Sequence, residues 1–471
     1  MGAVVAVVLP QLFRGRLTND SGLYAGVSLH AFREGHFWTL MAGDVAYFNK
    51  PPLGFWVHGL SMWLFGAELW AMRLPMLLSM AACAGLLVAI GRRLGSAKLG
   101  VASAIVLAWS YDFFRFAGRF VLDYLHTALL LAMVWCVLEA VRRSASRSAW
   151  GWWLGAGVAT GLAMMTKPFF AIVGLALMIG WAAWRGLDRR GWLAAVGSLV
   201  AAVVVATPWH ASMAAIHGDT FVSQYLGREV LTRATVGHNA AEAWWWYARH
   251  VALTWWPWLG LLAAGVATWL AQARRGAISP RDARVLVLAG GWCVAWLVLL
   301  SIFSDKRDRY MMHVLPMLSM LAATWLVRHA PPRMRRLRPD PWIAGVLIVA
   351  AAMTVLPVPL ASPPKEDRLA VMALIEQHRD PASPTGTTPT FYLGPNLDGR
   401  DGGRFYFHTG VWPRTLPPQE SPATRLAEGL VIRDARQGAA PPGESVVLET
   451  PTLIVTRRAA GSSLGAGAVS E

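Results

Sequence analysis

Long apolar blocks separated by short cationic loops set the pattern of this chain. Leu69 to Ile90, Val251 to Ala271 and Val285 to Phe303 are continuous hydrophobic runs, not helical stripes. Each approaches the roughly 20 residues that an α-helix needs to cross a bilayer. The opening run from Val4 to Phe13 is shorter; it reads as a first transmembrane helix cut short, with no convincing cleavage site for a signal peptide. Five connections are basic and almost free of acids: those around Arg92 and Arg93, Arg142 to Arg147, Arg185 to Arg190, Arg274 to Arg284 and Arg328 to Arg338. The positive-inside rule places them in the cytoplasm. The alternating connections then lie outside: 14–52, 111–124, a tight turn near Lys167, 210–249, 304–309 and everything after about residue 360. The alternation closes if the short, Trp-rich stretch 53–66 is re-entrant or interfacial instead of spanning. The expected fold is an α-helical polytopic membrane protein with about eleven spans, amino end inside and carboxyl end outside.

The pattern changes near residue 360, which divides the chain into a membrane domain, 1–360, and an outer domain, 361–471. The second part is rich in Pro and Gly. It predicts one helix, Lys365 to Arg379, and short β-like runs at Thr390 to Leu393, Arg404 to His408, Leu430 to Arg433 and Val446 to Thr456. Together these make a small extracytoplasmic α/β domain ending in a disordered tail.

Composition agrees with a membrane protein: 55% of residues are hydrophobic and 15% charged, where soluble domains carry about 25% charged residues. The net charge of +16 is spread over loops between apolar blocks. That distribution points to anionic lipids and excludes nucleic acid as the partner. Cys83, Cys136 and Cys293 all fall inside apolar blocks, so no disulfide framework is implied.

The candidate chemistry collects on the outer side. Asp20 stands just beyond the first span, with Tyr24 close behind, and the same loop continues through Tyr47 to Lys50 before Pro51 and Pro52. The prolines hold Lys50 in extended backbone. Taken alone, these residues also fit a solvated loop. Asp123 opens an apolar helix, where it would also serve as a cap complementing the helix dipole. Lys167 occupies a turn between two apolar blocks, a setting that calls for a partner or an anionic ligand, with snorkelling as the plain alternative. Arg228 and His238 belong to the 210–249 loop; Lys306, Arg307, Arg309 and Tyr310 follow the next span. Several cations with a few carboxylates beside a lipid phase suit a lipid phosphate and a general base.

In order and spacing these residues resemble the bacterial lipid-to-acceptor glycosyltransferases of the GT-C superfamily. The nearest groups are the aminoarabinose transferase of lipid A and the bacterial protein O-mannosyltransferases. The resemblance rests on Asp20 with Tyr24 and Ala25, the run Tyr47 to Leu53, the run Ala71 to Pro75 and Asp123 after Arg119. It continues through Gly161 to Lys167, Pro208 and Trp209, Leu226 to Arg228, His238 and the run Lys306 to Tyr310. It implies a bacterial inner-membrane enzyme of the cell envelope that moves a sugar from a polyprenyl-phosphate-linked donor to a lipid or protein acceptor on the extracytoplasmic face. In its terms Asp20 is catalytic, and Lys50 and Arg228 hold the donor phosphate. Residues expected on the same outer face complete the site: Asp123 as a second catalytic candidate, Lys167, Lys306, Arg307 and Arg309 toward the phosphate, and Tyr24, Tyr47, His238 and Tyr310 toward the substrate. Fixed cations would stabilise the charge that a polyprenyl phosphate gains as it leaves.

The chain departs from the family where Ser21 follows Asp20 and where Asn49 replaces a glutamate commonly found before the lysine. The second change weakens any metal site built on that glutamate. No cofactor is assigned, and a divalent metal is possible but not indicated. The competing class is a transporter or flippase for lipids or lipid-linked sugars. Against it stand the lack of an internal repeat or matched broken helices, and the one-sided charges.

Overall fold

The computed structural model describes residues 12, 17, 20–167, 170–232, 242–304, 306–329, 366–377, 390–393, 399–415, 429–435, 444–450 and 453–458. His238, the opening run Val4 to Phe13, the basic cluster after Arg328 and the carboxyl tail lie largely or wholly outside those residues.

Helix α1, Asp20–Arg33, begins with an acid and ends with His30 and Arg33, the polarity that a helix dipole favours. The segment was expected as loop; its two glycines, Gly22 and Gly26, hid a helix. A two-residue hairpin follows, β1 (Met41–Ala42) with β2 (Val45–Ala46), turned by Gly43 at φ 65°. Then come α2 (Leu53–Phe65), α3 (Leu69–Leu94), α4 (Ala97–Ala108) and the short α5 (Tyr111–Arg115). Next are α6 (Asp123–Arg142), α7 (Ser148–Met164), α8 (Phe170–Trp184) and α9 (Arg189–Phe221), which passes into a π-helical segment, Val222–Thr232. Thus the first part of the expected 210–249 loop is helix, broken only at Gly218, where φ is 51°. α10 (Trp246–Thr254) and α11 (Trp256–Arg274) form a pair bent by 108°. α12 (Pro280–Val285) joins α13 (Gly291–Ile302) through a π turn, and a 3₁₀ segment, Asp308–His313, leads into α14 (Leu315–His329).

Among the described residues, four helical stretches are long and apolar enough to cross a membrane: Leu69–Leu94, Asp123–Arg142, Arg189–Glu229 and Pro280–Ile302. The bent pair α10–α11 makes a fifth if it counts as one span. α2, α4 and α8 are apolar but shorter. Helices in lipid gain little from burying apolar surface, so small residues at the contact decide how closely they pack. Gly157 and Gly161 of α7 do this against α9: a Cβ on Gly161 would stand 2.7 Å from the Ala202 carbonyl oxygen. At the other end of α6, Glu139 is fully buried and accepts from Arg93, Arg142 (2.9 Å) and Arg143 (3.2 Å).

The carboxyl part holds α15 (Glu366–Gln377), β3 (Thr390–Leu393), α16 (Gly399–Thr409), β4 (Arg414–Thr415), β5 (Gly429–Asp434), β6 (Ser445–Glu449) and β7 (Leu453–Arg458). The strands form one mixed sheet in the order β4-β3-β5-β7-β6, parallel at β4-β3-β5 and antiparallel at β5-β7-β6. Phe391, Leu393, Leu430 and Ile432 alternate onto one face, where Val371 and Ile375 of α15 and Phe405 of α16 cover them. The small α/β domain expected from the sequence is present, with one correction: Arg404 to His408 is helix, not strand.

By contacts the chain forms two units. One comprises residues 1–12, 48–54 and 74–358; the other comprises 13–47, 55–73 and 359–471. In the second unit α1 crosses α16 through glycine, a Cβ on Gly26 falling 2.6 Å from the Gly403 Cα. Tyr406 donates to Glu34 at 3.3 Å across this seam.

Candidate functional site

Two buried lysines, each facing a carboxylate, organise the polar interior of the first unit. Asp123 is the first residue of α6, 2% exposed, where the helix N-terminus favours a negative charge. Lys167 lies in the turn after α7, 6% exposed, and its Nζ donates to Asp123 Oδ1 at 2.5 Å. The same ammonium sits 4.8 Å from the centre of the Tyr310 ring. His313 Nε2 is 3.8 Å from Asp123 Oδ1, and its Nδ1 lies 3.0 Å from Thr127 Oγ1. The lysine thus has the partner that its apolar surroundings required.

Lys50 repeats the arrangement. It is buried and donates to Glu229 at 2.6 Å. Glu229 comes from the π-helical segment, with Arg228 exposed beside it. Phe48 packs on Phe221 with ring centres 5.4 Å apart, anchoring the irregular stretch that carries Lys50 next to that segment. The two lysine segments are tied together by backbone: Leu53 N donates to Met165 O at 3.0 Å.

A third polar group surrounds the 3₁₀ segment. Asp112 is buried, 2.7 Å from His250 Nε2 and 3.2 Å from Thr254 Oγ1. Arg115 reaches Asp308 at 2.8 Å. Lys306 donates to the carbonyls of Ser301 (2.8 Å) and Phe303 (2.7 Å), closing the end of α13. Burial lowers its pKa, with Glu242 opposing. Its ammonium is 5.9 Å from the Tyr247 ring, whose hydroxyl meets the Arg307 backbone at 3.1 Å. Arg309 is half-buried, with its backbone N–H on Asp308 at 2.8 Å.

The first unit therefore brings together Lys50, Asp123, Lys167 and Tyr310 of the expected site, with Arg228, Lys306, Arg307 and Arg309 on adjoining segments. Four residues that sequence reasoning had not singled out as site members join them: Glu229, Asp112, His250 and His313. Glu229 is 179 positions from Lys50, and no local spacing announces such a pair.

The second unit holds Asp20, Tyr24 and Tyr47. Asp20 is the first residue of α1 and partly exposed. Tyr24 and Tyr47 are buried and both meet Phe55 edge-on, at 5.3 and 5.5 Å. Further along α1, burial lowers the His30 pKa, with Glu34 opposing, and raises that of Tyr406. Among the described residues, no cluster of three or more His, Cys, Asp or Glu side chains is placed to hold a metal.

Residues 49–211 match the family model described as dolichyl-phosphate-mannose-protein mannosyltransferase. The chain is 27% identical over 353 residues to an undecaprenyl phosphate-alpha-4-amino-4-deoxy-L-arabinose arabinosyl transferase of Erwinia tasmaniensis, covering 74% of this chain and 62% of that protein. A Pseudomonas aeruginosa protein of the same description is 28% identical over 333 residues, covering 69% and 57%. The chain thus matches about three fifths of the length of these curated relatives. Among solved structures, ArnT from Cupriavidus metallidurans bound to undecaprenyl phosphate superposes with a TM-score of 0.76 at 20% identity, over 97% of this chain and 96% of that one. The archaeal oligosaccharyltransferase AglB from Archaeoglobus fulgidus gives 0.56 at 11% identity, over 92% and 69%. The chain is a polytopic α-helical membrane protein that shares its fold with ArnT and is similar in sequence to the undecaprenyl phosphate-linked arabinosyl transferases.

Proposed function

We propose that this protein is an integral membrane glycosyltransferase that takes a sugar from a polyprenyl-phosphate-linked donor and passes it to a lipid or protein acceptor. The observation that carries the reading is the pair of buried lysines, Lys50 and Lys167, in a fold shared with a relative that binds undecaprenyl phosphate. A lysine is kept charged in such surroundings by a counter-ion and serves a phosphate as a fixed point charge. Lys50 and Arg228 hold the donor phosphate, and Lys167 stands behind them with Tyr310 against its ammonium. Charge gathering on the phosphate as the glycosidic bond breaks meets cations already in position, with no reorganisation required. Asp20 takes the proton of the acceptor hydroxyl. Asp123 keeps Lys167 charged and oriented; Lys306, Arg307 and Arg309 complete the cationic rim.

The membrane part crosses the bilayer about eleven times, with its basic loops in the cytoplasm. The site and the α/β domain face the extracytoplasmic side of a bacterial inner membrane. The domain boundary lies near residue 360, with α1 of the first outer loop packed on the outer domain.

Binding of undecaprenyl phosphate to the purified protein tests the cradle. A lost charge-assisted hydrogen bond is worth roughly 1.5–3 kcal/mol, or about tenfold and more in affinity. Lys50→Ala and Arg228→Ala are each expected to weaken binding by that factor; the exposed Arg228 can be lost without lowering the melting temperature, whereas Lys50→Ala also strands the buried Glu229 and lowers it. Unchanged affinity in both variants contradicts the assignment.

A further inference from the structure

At the opposite ends of the membrane helices, away from the lysine pairs, the structure holds a polar cavity of about 320 Å³. It is bounded by the end of α6, the start of α7 and the start of α9. Ser144, Ser146, Arg147, Trp150, Trp153 and Arg190 line it. Its volume is at the lower end of the range of ligand pockets, roughly 300–1000 Å³.

The charges around it are divided unevenly. Arg93, Arg142 and Arg143 converge on the buried Glu139, and Arg143 also stacks over Trp152 at 5.1 Å. Asp188, the acid nearest to Arg190 in sequence, is engaged in capping α9, its Oδ1 accepting from Gly191 N at 2.7 Å. Among the described residues, neither Arg147 nor Arg190 has a carboxylate partner. Two guanidinium groups with two serines face one cavity, walled by Trp153, which is buried, and Trp150, which is 48% exposed. Tryptophan of this kind sits at the level of lipid headgroups. Arginine grips phosphate through paired donors, and basic pockets between helix ends on the cytoplasmic side suit anionic headgroups.

We propose that this cavity binds the phosphate headgroup of an anionic phospholipid of the cytoplasmic leaflet, fixing the inner ends of α6, α7 and α9. The assignment is independent of the transfer reaction and rests only on the membrane placement of the basic loops. Native mass spectrometry of the full chain, purified and exposed to equimolar phosphatidylglycerol and phosphatidylcholine, tests it. The wild type is expected to retain phosphatidylglycerol preferentially. R147A/R190A should lower that retention at least about tenfold, the loss of a charge-assisted contact per arginine. R147K/R190K, which keeps the point charges without the forked donors, should fall between. R274A/R275A, in another of the basic loops and not lining the cavity, should behave as wild type. Unchanged retention in R147A/R190A, or an equal loss in R274A/R275A, overturns the proposal, the latter in favour of a diffuse basic surface. Displacement of the lipid by millimolar inorganic phosphate overturns the lipid assignment and leaves a site for the free anion.

Discussion

Asp123 and Lys167 each give up water, and neither is tolerable in an apolar interior without the other. Removing one partner of a buried pair strands the remaining charge at a cost of about 3–5 kcal/mol, whereas removing both costs much less. Lys167→Met alone is therefore expected to lower the stability of the detergent-solubilised protein by about that amount. Adding Asp123→Asn should restore most of it, and thermal unfolding of the two single variants and the double variant measures the coupling. Additive losses would mean that the ion pair is not what holds the turn. At this scale the sequence was informative where a charge stood alone among apolar residues. Lys167 was singled out for that reason, Lys50 because two prolines follow it, and Asp123 because it opened a helix. Glu229 carries no such signal, because its partner is set by the docking of Phe48 beside the π-helical segment. Asp112 and His250 escaped for the same reason: they meet through the approach of α5 and α10, not through spacing along either helix.

Elements were legible where one face differed from the other. Strands β3 and β5 alternate cleanly because one side meets the helices α15 and α16. α16 itself was read as a strand, since Phe405 and Phe407 alternate with Arg404, Tyr406 and His408. In the fold that helix is enclosed: Phe405 enters the sheet core, while Tyr406 meets His30 of α1 at 5.3 Å. A helix covered on two sides loses the one-sided stripe by which helices are recognised. Likewise α1 looked like loop because its glycines, which permit the close crossing with α16, resemble turn residues. Gly26→Val should force α1 and α16 apart, because backbone stands where the side chain would go. The expected loss is about 1–3 kcal/mol, with faster proteolysis of the carboxyl domain in the folded membrane protein. Wild-type resistance to protease in that variant would show that the seam does not hold the domain.

At the scale of the whole molecule, the proposed orientation rests on the alternating basic loops and not on the helices alone. Lengths of individual helices mark four spans among the described residues, or five with the bent pair α10–α11, while α2, α4 and α8 are apolar but shorter. The proposed count of about eleven rests on charge placement, because loop charge registers which side a segment occupies regardless of how regular the helix is. Cysteines at Ser146 and Ser279 should resist an impermeant thiol reagent in intact cells, and one at Ser421 should react. The native cysteines are buried and give no background. Labelling at Ser146 or Ser279 would reverse the orientation and with it the side on which the lysine pairs open.

Turnover of a polyprenyl-phosphate sugar by the purified chain tests the central claim most directly. With donor, acceptor and wild-type protein, mass analysis should find glycosylated acceptor and free polyprenyl phosphate in equal amounts, and Asp20→Asn should reduce both at least about a hundredfold, the contribution of a positioned general base. Movement of intact donor between leaflets with no release of polyprenyl phosphate, or undiminished transfer by Asp20→Asn, would contradict the account.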